Sequence, residues 1–369
     1  MKRLLFIIGT RPEAIKMAPL ILECRKVEDF DTRICVTGQH KTMLDQVLTF
    51  FELTPDFDLA LMKKEQTLFD ITAKAIKGLE SILEDFSPDL TLVQGDTTTA
   101  FIGALASYYN RIKVAHIEAG LRSGDKMSPF PEEINRRLAG VIADYHFAPT
   151  TKAGANLAAE NIRDNVFIVG NTVIDALLHS VEKVKQDHTL QNKFSFLDPQ
   201  KKMILVTGHR RESFGLPFEN ICEAIASIAA RNNNVQVVYP VHLNPNVQKP
   251  VTRILSGFPN VFLIEPVDYP SMTWLMMNSY FVLTDSGGVQ EEAPSLGKPV
   301  LVMRDVTERT EGIEAGTAIL VGTEKDIIIN KSQELLDNNE LYRKMAAAVN
   351  PYGDGTSSVQ IVNILKKVL

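Results

Sequence analysis

Short apolar runs alternate with longer stretches of helical periodicity through the first half of the chain. The apolar runs have the length of strands and are bounded by turn residues. They predict strands at residues 4–8, 32–37, 90–93, 114–117 and 145–148. The stretches between them predict helices, the clearest at residues 13–26, 67–86 and 131–143. This alternation is typical of a mostly parallel, doubly wound sheet.

A second, similar series begins after about residue 170. Its strands are predicted at residues 203–207, 235–241, 261–264, 280–284 and 299–302, with helices near 217–231 and 289–295. The breaker cluster Asn350-Pro351-Tyr352-Gly353-Asp354-Gly355 ends the series, and an amphipathic pattern predicts a last helix at 359–368. We therefore expect an α/β protein of two Rossmann-like doubly wound domains with an interdomain cleft. The first would span residues 1–170 and the second 171–355, and residues 356–369 would pack back on the first domain.

Composition narrows the class of protein. The chain has 369 residues, 45% of them hydrophobic, which is enough for two globular domains. A net charge of −6 without a basic block argues against a nucleic-acid partner. Cys24, Cys35 and Cys222 are scattered without metal-ligand spacing, so we expect reduced thiols and a cytoplasmic protein. No apolar stretch approaches the roughly 20 residues of a membrane helix, so no membrane partner is expected.

Three carboxylates stand out as candidates for proton transfer. Asp96 and Glu118 each follow a predicted strand, so they should lie side by side where a parallel sheet opens its site. Glu132 would join them through the loop that follows Glu118. Simpler explanations exist for each residue. Asp96 could cap a helix, Glu118 could be a strand-end acid with satisfied hydrogen bonds, and Glu132 with Glu133 could favour a helix start.

Two glycine-containing turns have the properties of anion sites. Gly9-Thr10-Arg11-Pro12-Glu13 follows the first strand and opens a helix, and Lys16 lies one turn further on. The alternative is a plain β–α turn with two solvated cations. Ser286-Gly287-Gly288 follows a strand of the second series, and its glycines would let backbone N–H groups approach a diphosphate. Glu292 could accept hydrogen bonds from ribose hydroxyls. Here the alternative is Ser286 as an ordinary helix cap.

Among the histidines, His209 is the strongest candidate for a chemical role. It follows the strand at 203–207 and precedes Arg210 and Arg211, where a group that neutralises a leaving phosphate would lie. His116 and His146 fall within strand patterns and are predicted to be buried. His242 also follows a strand and is a weaker candidate.

Six blocks of this sequence carry its most specific motifs. They are Gly9-Thr10-Arg11-Pro12-Glu13-Ala14-Ile15-Lys16, Gly95-Asp96-Thr97-Thr98-Thr99, His116-Ile117-Glu118-Ala119-Gly120-Leu121-Arg122, Pro131-Glu132-Glu133, Gly208-His209-Arg210-Arg211-Glu212 and Asp285-Ser286-Gly287-Gly288-Val289-Gln290-Glu291-Glu292-Ala293-Pro294. These blocks resemble the non-hydrolysing bacterial UDP-N-acetylglucosamine 2-epimerases, and the likeness runs from Gly9 to Gly355 with spacings intact. The resemblance implies a glycosyltransferase-B type fold, a homodimer, and interconversion of UDP-N-acetylglucosamine and UDP-N-acetylmannosamine without NAD or metal, for cell-surface polysaccharide synthesis.

By position, the resemblance also implies roles for particular residues. Asp96, Glu118 and Glu132 match the acid/base carboxylates of the family, and His209 matches its catalytic histidine. Some relatives bind a second, activating UDP-N-acetylglucosamine, and Gln39, Arg210 and His242 fit that pattern. The residues that match contacts to UDP-N-acetylglucosamine and UDP are Arg11, Lys16, Arg136, Ser286, Gly287, Gly288, Glu292 and Arg309.

Three alternatives to this function stay open at the level of sequence. A hydrolysing epimerase would release free N-acetylmannosamine and UDP, and motif order barely separates it from the non-hydrolysing class. A UDP-sugar glycosyltransferase of the same fold needs one base and has no obvious use for three acids. A non-catalytic nucleotide-sugar sensor could keep Ser286-Gly287-Gly288 and lose the carboxylates.

Overall fold

The computed structural model describes residues 1–38, 41–61 and 66–369, apart from the side chains of residues 41–43. The chain divides into two compact units. Unit 1 comprises Met1–Ala176 and Tyr352–Leu369, and unit 2 comprises Leu177–Pro351. The sequence-based division had placed these boundaries at 170 and 355. The first boundary falls instead inside one continuous helix, Thr172–Lys185, because the helical pattern there carries no break. The interdomain cleft stays a prediction.

Unit 1 is built on a parallel sheet, which has seven strands in the part of the chain that the structure describes. Their order across the sheet is β3-β2-β1-β4-β5-β6-β7. The elements are β1 (Lys2–Ile8), α1 (Arg11–Arg25), β2 (Phe30–Val36), α2 (Lys41–Phe50), β3 (Phe57–Asp58), α3 (Leu68–Phe86), β4 (Leu90–Gln94), α4 (Thr98–Tyr109), β5 (Lys113–Ile117), α5 (Glu132–Ile142), β6 (Tyr145–Ala148), α6 (Thr151–Ala159), β7 (Val166–Ile168) and α7 (Thr172–Lys185).

Unit 2, all of whose residues are described, repeats the plan with six parallel strands in the order β10-β9-β8-β11-β12-β13. A last helix, α16 (Ser357–Val368), belongs to unit 1 and packs against α1. The elements of unit 2 are α8 (His188–Lys193), β8 (Lys202–Thr207), α9 (Leu216–Arg231), β9 (Val235–Pro240), α10 (Pro245–Leu255), β10 (Val261–Ile264), α11 (Tyr269–Asn278), β11 (Phe281–Thr284), α12 (Gly287–Glu292), β12 (Val300–Val302), α13 (Thr310–Glu314), β13 (Ala318–Leu320), α14 (Lys325–Asp337) and α15 (Asn339–Ala346), with short 3₁₀ turns at Arg211–Ser213 and Ala293–Leu296.

The central strands are buried on both faces, as expected for parallel sheets covered by helices. All five residues of β4 and the last five of β1 are buried, and eight of these ten residues are apolar. The predicted fold class, two α/β domains with parallel doubly wound sheets, is therefore confirmed. Across the described ranges, no helix combines the length and the apolar character that crossing a membrane requires.

Strand order also locates the positions where ligands bind in such folds. In unit 1 the direction of winding reverses between β1 and β4, and in unit 2 between β8 and β11. The loops that leave the carboxyl ends of the strands diverge at such a switch point and open a crevice. The Gly9 and Asp96 loops flank the first switch point, and the His209 and Ser286 loops flank the second.

Candidate active site

Glu118 lies directly after β5 in a backbone conformation that side chains rarely adopt. Its φ is +63°, in the left-handed region, and only 8% of the residue is exposed. Oε1 accepts hydrogen bonds from Lys16 Nζ (2.5 Å) and Asn171 Nδ2 (2.8 Å), and Oε2 accepts one from Gln94 Nε2. A left-handed non-glycine residue is strained by about 1–3 kcal/mol, and such strain concentrates at functional sites.

The same contacts also satisfy the carboxylate of Glu118. Both the catalytic role and the role of a paired strand-end acid are thus compatible with its surroundings. The sequence does not reveal Gln94 and Asn171 as its partners. Asn171 is buried at the start of α7, where its Oδ1 accepts from Val173 N at 3.1 Å. Asn171 and Glu118 are 53 residues apart in the sequence and are brought together by the fold.

Asp96 is not a helix cap, so that alternative is wrong. Thr97 occupies the cap position of α4, and its Oγ1 accepts from Ala100 N at 3.1 Å. The Asp96 carboxylate instead accepts a hydrogen bond from Arg136 Nη2, and Asn135 Nδ2 donates to the Asp96 carbonyl at 3.0 Å. These contacts fix the start of α5 at the carboxyl end of β4.

Glu132 and Glu133 begin α5 but have different surroundings. Glu132 is half-buried, and its Oε2 atom is inaccessible and lacks a hydrogen-bond partner among the described residues. Glu133 is fully buried and accepts from Ser123 N (2.9 Å) and Arg136 Nη1 (3.2 Å). Burial raises the pKa of Glu133, but these bonds and the arginine charge outweigh it and lower the pKa overall. Glu133 therefore anchors the loop, and Glu132 keeps an uncommitted carboxylate oxygen.

The loop after β1 is tied to the loop after β4 by Glu13, a buried residue whose role the sequence did not reveal. Its Oε2 accepts from Gly9 N (2.9 Å) and Thr10 N (2.6 Å), and Thr97 Oγ1 donates to its Oε1 at 2.6 Å. Burial raises the pKa of Glu13. Arg11, at the start of α1, is half-buried and makes no ion pair within the described part of the chain. Its guanidinium is available to an anion.

Two buried histidines lie beneath this edge of the sheet, as predicted. His116 and His146 are register partners on β5 and β6. Burial lowers the pKa of each to about 4, so both are neutral at physiological pH. His116 Nε2 donates to the carbonyl of Gly95 at 2.7 Å and so supports the turn that carries Asp96.

In unit 2, His209 is placed by a buried carboxylate. His209 N and Arg210 N both donate to Asp285 Oδ2, at 2.7 and 2.8 Å. The His209 side chain is 46% exposed, and its ring stacks on that of His242 with 5.3 Å between centroids. Burial and the neighbouring His209 lower the pKa of His242. Gln39, the third predicted activator contact, lies outside the described residues.

The Ser286-Gly287-Gly288 turn leaves the first turn of α12 open. Ser286 occupies the cap position, but its side chain makes no capping hydrogen bond, so ordinary capping does not explain this serine. A Cβ on Gly288 would meet only Glu292 Oε2, at 3.8 Å. The space beside Gly288 is therefore free. Glu292 is buried, and its Oε1 accepts a hydrogen bond from Tyr269 OH at 3.1 Å.

Arg309 packs against this turn. A Cβ on Gly287 would lie 3.0 Å from Arg309 Cζ, so only glycine allows the guanidinium to lie this close. Glu291 Oε1 accepts from Arg309 Nε at 2.9 Å, and Glu308 Oε1 accepts from Nη1 at 2.6 Å. Burial acts to raise the pKa of Glu308, but the charges of Arg309 and Arg304 outweigh it and lower the pKa to about 2.

A family model described as UDP-N-acetylglucosamine 2-epimerase matches residues 22–366 of the chain. The chain belongs to the UDP-N-acetylglucosamine 2-epimerase family. The UDP-N-acetylglucosamine 2-epimerase family to which the six sequence blocks point is thereby confirmed, and the non-hydrolysing class within it stays a prediction. An epimerase of this name from Salmonella typhimurium is 56% identical over 99% of this chain and 98% of its own length.

Solved structures of other epimerases agree with this assignment. One from Neisseria meningitidis, bound to UDP-GlcNAc, is 50% identical, has a TM-score of 0.94 and covers 99% of this chain and all of its own. One from Methanocaldococcus jannaschii, in complex with UDP-GlcNAc and UDP, is 34% identical with a TM-score of 0.84, and 99% of both chains is covered.

The predicted site residues thus form two groups. At the edge of the unit 1 sheet, Lys16 contacts Glu118, and Arg136 contacts Asp96. At the edge of the unit 2 sheet, Arg309 packs against the turn that begins at Ser286. The residues of unit 1 are Arg11, Lys16, Asp96, Glu118, Glu132 and Arg136, and those of unit 2 are His209, Arg210, His242, Ser286, Gly287, Gly288, Glu292 and Arg309.

Proposed function

We propose that this epimerase interconverts UDP-N-acetylglucosamine and UDP-N-acetylmannosamine by eliminating UDP and adding it back. The proton on C2 is not acidic, because C2 is not next to a carbonyl group. General-base catalysis supplies only about 10²–10⁴-fold and would not suffice alone. When the C1–O bond breaks and its electrons leave with UDP, the oxocarbenium character at C1 acidifies the C2 proton.

Loss of that proton to an enzyme carboxylate forms the C1–C2 double bond of 2-acetamidoglucal. UDP then adds back to C1 while a proton is delivered to the opposite face of C2. We assign the proton transfers to Asp96, Glu118 and Glu132. The observation that carries the proposal is the position of Glu118, a strained, buried carboxylate held between Lys16 and Asn171 in a chain of this family. Strained residues of this kind are typical of functional sites.

We assign the departing diphosphate to the residues of unit 2. The open first turn of α12 at Ser286-Gly287-Gly288 supplies N–H groups, and Arg309 and His209 supply side chains that stabilise negative charge. Glu292, which lies beside Tyr269, would accept hydrogen bonds from the ribose hydroxyls. Two observations support this assignment of the diphosphate. The space beside Gly288 is free, and structures of relatives have been solved with UDP or UDP-GlcNAc bound.

Arg11 and Lys16 would add positive charge from unit 1, and Arg136 would hold Asp96 in place. We further propose that Arg210 and His242, with Gln39, bind a second, activating substrate molecule. The stacking of His242 on His209 supports this role, because it would pass an effect to the catalytic histidine. In the wild type, the rate should depend sigmoidally on the concentration of UDP-N-acetylglucosamine. In His242→Ala this dependence should become hyperbolic.

Product analysis distinguishes this function from its alternatives. Purified enzyme is incubated with UDP-N-acetylglucosamine, and products are followed by ion-pair chromatography and ³¹P NMR. The proposal predicts UDP-N-acetylmannosamine at a fixed equilibrium ratio and no net loss of UDP-sugar. Stoichiometric free N-acetylmannosamine and UDP at early times would establish the hydrolysing reaction. Turnover only in the presence of an acceptor would establish a glycosyltransferase.

We also propose that the protein is a homodimer that pairs through the helices of unit 1. The exposed ends of α4 and α5 carry Tyr108, Tyr109 and Val141, which are 63%, 66% and 76% exposed. Tyr108 and Tyr109 line a groove of 490 Å³, whose other lining residues are Ile112, Ile142, Arg111, Lys113 and Asp144. Apolar surface of this kind is typical of a protein–protein interface, and a second copy is the partner that the family resemblance implies.

Charge inserted into this surface tests the pairing. Light scattering should give about twice the 41.0 kDa chain mass for the wild type and the single-chain mass for Val141→Glu. Val349→Glu is the matched control, because Val349 is an exposed valine of unit 2. A Val141→Glu protein that remains dimeric would show that the interface lies elsewhere.

A further inference from the structure

Asp285 is a buried carboxylate to which neither the sequence nor the proposed reaction gives a role. It follows β11, and only 2% of it is exposed. One oxygen, Oδ2, accepts the backbone N–H groups of His209 and Arg210. The carbonyl of Asp285 also accepts from Arg210 Nε at 3.0 Å. The carboxylate is therefore fixed in both position and orientation.

The second oxygen of Asp285 is unused and lies close to the His209 ring. Oδ1 is inaccessible and makes no hydrogen bond within the described residues. It lies 3.6 Å from His209 Nδ1. A small rotation of the half-exposed imidazole would shorten this separation to a hydrogen bond. Such an orphaned buried oxygen needs an explanation, and the nearby ring nitrogen offers one.

The other groups around His209 do not compete for Nδ1. His242 contacts the flat face of the ring, with 12° between ring planes, and its lowered pKa favours the neutral form. Arg210 Nε donates to the Asp285 carbonyl, and Glu212 pairs with Arg304 at 3.0 Å. Glu308 pairs with Arg304 and Arg309. Among the described residues, Asp285 is the anion recorded in contact with the His209 ring.

We propose that Asp285 is the positioning residue for His209, accepting a hydrogen bond from Nδ1–H so that Nε2 faces the diphosphate. A carboxylate in this position selects one tautomer of histidine, orients the ring and stabilises its protonated form. The part of this inference that places Nε2 against the diphosphate rests on the proposed function. The pairing of Asp285 with His209 is independent of that function.

The first test uses the wild-type enzyme. Two-bond ¹H–¹⁵N NMR spectra of histidine side chains distinguish the two tautomers, and comparison with His209→Asn assigns the His209 signal. When its ring is neutral, His209 should be in the Nδ1–H form. A His209 in the Nε2–H form would overturn the proposal, with no variant of Asp285 required.

The second test removes the charge with Asp285→Asn, which keeps an oxygen for the two backbone N–H groups. The asparagine would place its N–H₂ group toward Nδ1, so His209 should change from the Nδ1–H to the Nε2–H form in the same NMR spectra. The turnover number near pH 7 should fall about tenfold, which is part of the roughly 10²–10⁴-fold that a general acid–base group contributes, because the histidine remains but is no longer held in one tautomer. KM and the Kd for UDP should stay within twofold.

Asp305→Asn is the matched control. Asp305 is exposed and follows β12 of the same sheet, so its replacement removes the same charge from the same edge. It should change neither the His209 tautomer nor the turnover number. An unchanged His209 tautomer in Asp285→Asn, or an equal change in Asp305→Asn, would overturn the proposal. Neither NMR measurement requires epimerase activity, so failure of the proposed function would appear separately, in the wild-type product assay.

Discussion

Replacement of Glu118 by glutamine separates its two possible roles. The glutamine retains a side-chain oxygen that can accept from Lys16 and Asn171. Gln94 can turn its amide so that its oxygen accepts from the new N–H₂ group, so the local geometry should survive. It cannot take up a proton at the pH of the assay. If Glu118 has only a structural role at the end of its strand, the glutamine should change kcat little. If Glu118 carries the proton, the glutamine should lower kcat strongly.

The magnitudes follow from the surroundings of the carboxylate. Loss of one general acid–base group should lower kcat by about 10²–10⁴-fold, equivalent to about 3–5 kcal/mol of barrier. The Lys16 and Glu118 side chains are 13% and 5% exposed, so the substitution weakens a largely buried ion pair. Because a neutral acceptor remains, the loss of stability should be about 2 kcal/mol, below the 3–5 kcal/mol of a fully broken pair.

The assay compares kcat, UDP affinity by calorimetry, and urea unfolding for Glu118→Gln and for Asp56→Asn. Asp56 accepts from Arg33 Nη1 and Ile34 N, both at 2.8 Å, at the amino end of β3. Its replacement should destabilise unit 1 without lowering kcat. The affinity for UDP should be unchanged from the wild type in both variants. A Glu118→Gln enzyme that is destabilised as expected but keeps kcat within tenfold would refute the acid/base role and leave the structural one.

Further predictions concern the other carboxylates, the glycine turn and the pH dependence of stability. Asp96→Asn and Glu132→Gln should each lower kcat by at least 100-fold, roughly the smallest contribution of general acid–base catalysis, with an unchanged calorimetric Kd for UDP; a weaker Kd with normal kcat would contradict this. Gly288→Ala should keep the wild-type melting temperature but bind UDP at least tenfold more weakly. Gly287→Ala should have both a lower melting temperature and a weaker affinity for UDP, because its Cβ would lie 3.0 Å from Arg309. Unfolding free energy should fall as pH drops from about 6.5 toward 4, because His116 and His146 both resist protonation when folded. At pH 5 each should cost about 2 kcal/mol, about 4 kcal/mol together, and urea titrations that are flat between pH 7 and 5 would exclude this effect.

Buried parallel strands were predictable because each is a nearly continuous apolar run. The strands expected at residues 90–93 and 114–117 match β4 and β5 to within one residue at each end. By contrast, β3, β7 and β13 have two or three residues each, too few for any periodicity to appear. They are specified by pairing with neighbouring strands, which a local pattern does not contain.

The candidate site was predictable at its strand ends and not in its supporting contacts. The positions of Asp96, Glu118 and Ser286 follow from the rule that parallel sheets bind ligands at the carboxyl ends of strands. The partners of buried polar groups come from distant parts of the chain. Thr97 lies 84 residues from Glu13, and Asp285 lies 76 from His209. Only the folded chain shows which polar groups meet.

The central claim is that the C2 proton leaves the sugar and is replaced from solvent while UDP departs and returns. Incubation of the enzyme with UDP-N-acetylglucosamine in D₂O, followed by ¹H NMR and mass spectrometry, tests it directly. The account predicts one deuterium at C2 in UDP-N-acetylmannosamine and, at equilibrium, in UDP-N-acetylglucosamine as well, with UDP still attached to both sugars. Formation of UDP-N-acetylmannosamine that retains protium at C2 would contradict it.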